Sequence, residues 1–155
     1  MSDSLPRPAE LLCFSVYAAA HAMNRVYKPL LDPLGLTYPQ YLVMLTLWDE
    51  DGQTVGQVSE RLFLESSTIT PLLKRLETAG LLTRERDRAD ERVVRARLTE
   101  AGRALREKAL GIPACILGAT GLDMAAAVRL RDDVERLRHS LERAAGEEPP
   151  SGGPS

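Results

Sequence analysis

The chain has 155 residues, 44% of them apolar and 27% charged, which is enough for one stable core and ordinary for a globular protein. Its net charge of -2 excludes a uniformly basic nucleic-acid binder, so any hold on DNA has to come from a local basic patch. No run is long enough to span a bilayer, the N-terminus lacks a secretory pattern, and two cysteines alone are too few for a zinc site. A cytoplasmic protein with free thiols, no cofactor and no membrane partner is therefore expected.

In chain order, residues 1–8 read as a flexible leader and residues 9–27 as a helix whose core stripe is Leu12, Val16, Ala19, Met23 and Val26. Cys13 and Tyr17 lie one turn apart beside that stripe, and Ala20, Asn24 and Tyr27 continue their line. Pro29 is expected to end this helix, and 30–36, with Pro33 and Gly35, to be a connection. Thr37 then stands as N-cap, with Gln40 placed to close a capping box, for a helix over 38–48. That helix is apolar nearly all round (Leu42, Val43, Met44, Leu45, Leu47), which makes it the central buried one.

After a polar turn at 49–53, a short helix over 54–64 carries Val55, Val58 and Leu62, with Thr54 as N-cap. A second over 65–79 carries Ile69, Leu72, Leu73 and Leu76 on one stripe and stops at Gly80. Two helices at a tight turn form a helix-turn-helix, whose second member enters the major groove with its N-terminal residues on the base edges. Here those are Ser66, Ser67, Thr68 and Thr70, with Lys74 and Arg75 further along for phosphates.

The period then changes to alternation. Leu82, Arg84 and Arg86 rise to a tip at Arg88-Ala89-Asp90-Glu91, and Val94, Ala96 and Leu98 return, which is a hairpin. Between Lys74 and Lys108 eleven Lys and Arg stand against seven Asp and Glu, an excess of four that the whole-chain charge conceals. A hairpin after a helix-turn-helix is a wing, and an arginine at its tip can enter the narrow minor groove. Arg84, Arg86, Arg88 and Arg92, with Asp90 beside the last, are the candidate wing contacts.

Thr99 caps a helix to about residue 110, Gly111-Ile112-Pro113 interrupts the chain before a short helix over 114–117, and a last helix runs over 123–145 with Val128, Val134, Leu137 and Leu141 on one face. Residues 146–155, rich in Pro, Gly, Ser and Glu, are expected to be a disordered tail. The fold class is thus mainly α with a small β-hairpin wing. One domain spans 9–145: a winged helix-turn-helix over about 38–99, flanked by helices over 9–27 and 99–145 that can pair two copies across a twofold axis.

Cys13 begins as an inert small hydrophobe, the usual state of a half-buried cysteine, and becomes reactive only if donors or cations stabilise its thiolate. Tyr17 is one turn away and a phenol can donate to a thiolate. Tyr27 is fourteen residues on, roughly 21 Å along a straight helix, so it reaches a Cys13 only if two copies of the helix cross antiparallel, with Tyr38 beside it.

Several segments here resemble the MarR family of winged-helix regulators and, within it, the organic hydroperoxide resistance repressors: Leu12-Cys13-Phe14, Tyr17, Tyr27-Lys28-Pro29-Leu30-Leu31-Asp32, Thr37-Tyr38-Pro39-Gln40-Tyr41-Leu42, Leu72-Leu73-Lys74-Arg75 and Asp90-Glu91-Arg92. The likeness runs from Leu11 to about Gly118. It implies that the Cys13 thiolate attacks a hydroperoxide and becomes a sulfenic acid, that Tyr27 and Tyr38 of the partner subunit and Tyr17 are its hydrogen-bonding tyrosines, and that Arg92, positioned by Asp90, is the minor-groove arginine. Some members then need an external small thiol and others condense with a second cysteine of the opposite subunit. Cys115 falls where the two-cysteine members carry theirs. The expected partners are a second copy, a double-stranded inverted-repeat operator and an organic hydroperoxide. The rivals are a repressor released by a non-covalent phenolic or lipid effector and, from another class, a thiol peroxidase.

Overall fold

The computed structural model describes residues 4–146, arranged as α1 (Leu12–Leu31), α2 (Tyr38–Asp49), α3 (Val55–Leu62), α4 (Ser66–Thr78), β1 (Leu82–Arg86), β2 (Val94–Leu98), α5 (Glu100–Ala109), α6 (Ile112–Thr120) and α7 (Met124–Ala144), with 3-10 turns at Pro8–Glu10 and Asp32–Leu34. The architecture is a mainly helical winged helix-turn-helix with a two-stranded antiparallel wing. Where one domain over 9–145 is expected, the chain divides at the Gly111-Ile112-Pro113 break into two compact units, Met1–Ile112 and Pro113–Ser155. Within the expected leader, residues 4–7 lead into the first 3-10 turn, while residues 1–3, like 147–155 of the expected tail, lie outside the described residues.

The first unit is built on α2, which packs against α1, α3, α4, β2 and α5. Thr37 and Gln40 form the expected capping box at its start, the Gln40 amide donating to Thr37 Oγ1 and the Thr37 amide to Gln40 Oε1 at 2.9 Å. Val43, Met44 and Leu47 of α2 meet Val58 of α3, Ile69, Leu73 and Leu76 of α4, and Leu82 and Ala96 of the wing, all at most 1% exposed. Leu45 departs from the expectation by facing out, and Tyr41, not counted among the apolar positions, is buried instead. Gly80 (φ 78°) closes α4 as the stop signal requires, and the strands pair with Leu82 opposite Leu98 and Arg84 opposite Ala96.

The turn before α3 is more than a polar connection. Gln53 is buried, its amide nitrogen donates to the Thr46 and Glu50 carbonyls at 2.8 and 2.6 Å, and its own carbonyl accepts from the Ala96 amide. Together with the isolated bridge between Thr54 and Arg95, this adds a short third edge to the wing. On the other side of α2, Trp48 Nε1 donates to the Gly102 carbonyl at 2.8 Å. A Cβ at Gly102 would lie 2.0 Å from the Leu81 carbonyl oxygen, so only glycine lets α5 approach the chain entering the wing.

Two expectations for α1 are corrected. Pro29 does not end the helix, which continues to Leu31: a proline removes only the bond from its own nitrogen, and near a helix end the following amides still find partners, Asp32 donating to the Lys28 carbonyl. The intended core stripe is not core. Within one chain Leu12, Val16, Met23 and Val26 are 65, 42, 47 and 37% exposed, and Leu31 is the helix's one fully buried residue.

In the second unit, α6 is longer at both ends than the expected 114–117, and α7 begins where Asp123 caps it, accepting from the Ala126 amide at 2.7 Å. Val128, Val134 and Leu141 of its apolar face are exposed, while Arg138 on the charged face holds Glu135 and Glu142.

Candidate DNA-reading surface and thiol site

The helix-turn-helix presents the residues that its periodicity selects. Ile69, Leu72, Leu73 and Leu76 turn α4 inward, and the same register leaves Ser66, Ser67 and Thr68 exposed in its first turn, Thr70 half-buried, and Lys74 and Arg75 exposed further along. A concave groove of about 410 Å³ joins the start of α4 to the wing, lined by Thr54, Gly56, Ser66, Thr70, Arg84 and Arg92 among others.

The wing arginines divide into two kinds. Arg92 is exposed at the tip and is forked by Asp90, with Nε to Oδ1 at 3.1 Å and Nη2 to Oδ2 at 3.2 Å, while its backbone amide donates to the same carboxylate. These bonds hold the Asp90 carboxyl below the usual carboxylate range and fix the direction of the guanidinium. Arg88 is exposed, and Arg86 donates to the Glu91 carbonyl at 3.0 Å. Arg84 is different: its backbone amide and guanidinium both donate to Glu77 of α4, at 2.9 Å and 3.1–3.3 Å, in a half-buried pair that ties wing to recognition helix. Arg95, which composition alone does not separate from its neighbours, has the same structural character, pairing with Asp87 at 2.8 Å and donating to the Gly52 carbonyl at 3.0 Å.

The candidate thiol residues are scattered over one chain. Cys13 in the first unit and Cys115 in the second are both free and exposed. Tyr17 is exposed and packs edge-on against His21, ring centroids 4.4 Å apart. Tyr27 and Tyr38 do come together, at 4.6 Å between centroids, beside a cavity of about 330 Å³ also lined by Leu31, Leu36, Lys28 and Asp32. Tyr27 is fourteen positions beyond Cys13 on one continuous helix, about 21 Å along its axis, so the cavity does not receive the sulfur of its own chain.

Residues 25–109 match the family described as "Transcriptional regulator SarA/Rot". The chain is also 53% identical over 107 residues to the organic hydroperoxide resistance transcriptional regulator of Bacillus subtilis, an overlap covering 69% of this chain and 73% of that protein. It belongs to the MarR/SarA family of winged-helix transcriptional regulators. It is 50% identical over 135 residues to the HTH-type transcriptional regulator TtmR of Methylorubrum extorquens, covering 87% of this chain and 69% of that one. Among solved structures, reduced AbfR bound to DNA, from Staphylococcus epidermidis, superposes with a TM-score of 0.73 at 35% identity over 86% of this chain and 92% of that one. Membership of a transcription-regulator family sets aside the peroxidase rival: this regulator is not an enzyme.

Behind the cavity the regulator has one residue that sequence reasoning missed. Tyr41 packs at 5.9 Å from Tyr27, so three phenols, not two, converge behind the cavity. Burial first, then the Tyr38 and Tyr41 phenols, pushes the Tyr27 hydroxyl up to about 12, and burial raises Tyr38 and Tyr41 as well. Each stays a protonated donor throughout the physiological range. The signal was present in the sequence, since Tyr38 and Tyr41 stand three apart on a helix, but a tyrosine within an apolar run reads as core.

Proposed function

We propose that this regulator is a thiol-based sensor of organic hydroperoxides, a homodimeric cytoplasmic repressor that holds an inverted-repeat DNA operator when reduced and releases it when Cys13 is oxidised. The observation that carries the reading is the mismatch within one chain: two protonated phenols 4.6 Å apart flank a cavity with no thiol, and a thiol sits about 21 Å up the same helix with no phenol pair. An antiparallel crossing of two α1 helices resolves the mismatch, because it brings Cys13 of one copy to Tyr27 and Tyr38 of the other. The same crossing covers Leu12, Val16, Ala19, Met23 and Val26, whose alternating spacings of four and three residues are those of a helix–helix seam. Similarity to the hydroperoxide resistance regulator and to AbfR, solved both DNA-bound and as a disulfide-formed protein, supports it further.

In the chemistry that follows, the Cys13 thiolate attacks the terminal oxygen of the hydroperoxide. The O–O bond breaks, the hydroxyl stays on sulfur as a sulfenic acid, and the alkoxide leaves and takes up a proton to become the alcohol. Cys115 of the other subunit then displaces the sulfenic oxygen as water and closes a disulfide, or an external small thiol does so in its place. Oxygen on sulfur, and then a bridge, disturbs the phenol pocket between the α1 helices. The spacing of the two reading heads changes, and affinity for an operator of fixed half-site spacing falls. Ser66, Ser67, Thr68 and Thr70 read bases, Lys74, Arg75, Arg86 and Arg88 hold phosphates, and Arg92, aimed by Asp90, enters the minor groove. Arg84 serves through Glu77 rather than through phosphate.

Peptide mass spectrometry after one equivalent of cumene hydroperoxide tests this directly: the expected product is a Cys13–Cys115 crosslink between subunits, and an unmodified Cys13 rejects the proposal. The cavity itself favours a second reading, a phenolic or lipid effector bound without covalent change against Leu31, Leu36, Tyr27 and Tyr38. Cys13→Ser separates the two, since an effector-released repressor still lets go of DNA whereas a peroxide sensor stays bound in oxidant.

A further inference from the structure

Resting on the peroxide-sensing reading, we infer that His21 is a positioning residue for Cys13, acting through Tyr17: its ring braces the Tyr17 ring over the turn of α1 that carries the thiol. Cys13, Tyr17 and His21 stand at successive intervals of four on one helix, so they form a single line along its surface. Long side chains on a helix lean toward its N-terminus, over the preceding turn. Tyr17 therefore leans toward Cys13, and His21 leans toward Tyr17. The second of these is an observed contact, with ring centroids 4.4 Å apart and planes at 62°, the edge-on geometry that aromatic pairs prefer.

The brace matters because, within its own chain, Tyr17 has little else to hold it. It is 62% exposed, and among the described residues its one ring contact is His21. A phenol free to sample several rotamers spends only part of its time where its hydroxyl can donate to a thiolate one turn below. Tyr27 needs no such help, since Tyr38 and Tyr41 enclose it. The imidazole is thus the ring neighbour of the one exposed phenol, and the inference concerns the rate of Cys13 oxidation, not the grip on DNA.

The test is a double-mutant cycle on the full-length protein, measuring the second-order rate of Cys13 oxidation by cumene hydroperoxide under stopped flow, with reduced-state operator affinity alongside. His21→Ala is expected to slow oxidation about three- to tenfold, the range an aromatic pair of this geometry supplies. His21→Phe, which keeps a ring, restores most of the rate. In a Tyr17→Phe background His21→Ala has no further effect. Operator affinity of the reduced proteins stays within about twofold, because an exposed substitution of this kind leaves the fold intact. A wild-type rate in His21→Ala overturns the inference, as does an effect of His21→Ala that persists in full without the Tyr17 hydroxyl. A wild-type Cys13 that no hydroperoxide oxidises fails the sensing proposal itself, and that control is read before any variant.

Discussion

The reading head and helix α1 use similar residues to opposite ends. In the head, Val58, Ile69, Leu73, Leu76, Leu82 and Ala96 are at most 1% exposed, so one chain supplies everything needed to bury them. In α1, Leu12, Val16, Met23 and Val26 follow an equally regular stripe and remain 37–65% exposed. A helix of this length with a single buried residue is not held by its own chain's core, since most helical stability comes from packing an apolar face. Apolar periodicity therefore marks a face that will be buried without saying by which chain. The head is a self-sufficient part, and in the proposed dimer α1 is half of a structure that a second copy completes.

The strongest way to break that contrast is a charge on the seam. Met23→Asp lies on an exposed position of an isolated chain, where a surface change costs within about 0.5 kcal/mol. If α1 pairs with its copy, the buried carboxylate dissociates the dimer, and operator affinity falls on the order of a thousandfold as bivalent docking is lost. Light scattering and operator titration report the two effects together, and an unchanged mass with unchanged affinity removes the contrast. The matching change in the head is Leu73→Ala, expected to lower unfolding free energy by about 3 kcal/mol in urea while leaving subunit pairing intact. Gly102→Ala comes next, at about 2 kcal/mol, because the added methyl would sit 2.0 Å from the Leu81 carbonyl oxygen and α5 must move away.

The legible part of the chain was the part with local rules. Capping by Thr37, Thr54 and Thr99, the stop at Gly80, the α4 stripe and the alternating hairpin all depend on neighbours within a few residues, and each stands where its chemistry puts it. What was not legible depends on distant partners. The burial of Gln53 requires Ala96, forty-three positions away, and the need for glycine at 102 arises only from Leu81. In the candidate sites, the exposure of Ser66, Ser67, Thr68 and Arg92 follows from helix and tip position. The diversion of Arg84 to Glu77 and the third phenol at Tyr41 do not, because an arginine or a tyrosine carries no local mark of which neighbour will claim it.

Within the head itself the two kinds of wing arginine sharpen the contrast on a smaller scale. Arg92→Ala removes an exposed tip cation, so operator binding should weaken about tenfold and its salt slope fall by about one, with no change in unfolding midpoint. Arg84→Ala should do the reverse, lowering the midpoint slightly and leaving the salt slope alone, and a lost phosphate contact in that variant would return Arg84 to the DNA surface.

The smallest effect belongs to the other half of that pair. The Arg84 amide, and then its guanidinium, hold the Glu77 carboxyl below its ordinary value of 4.5. A carboxylate depressed by folding resists protonation in the native state, so its contribution is present above the ordinary value and is lost as pH falls through the depressed one. Glu77→Gln keeps an acceptor for the Arg84 amide but cannot titrate. The acid limb of its stability profile below pH 4.5 should therefore be shallower than the wild type's, with the two curves running parallel near neutrality. Acid denaturation followed by circular dichroism measures both slopes. Identical limbs would mean that the Glu77–Arg84 link is as strong in the unfolded chain, and the wing would then be held to α4 by its apolar contacts alone.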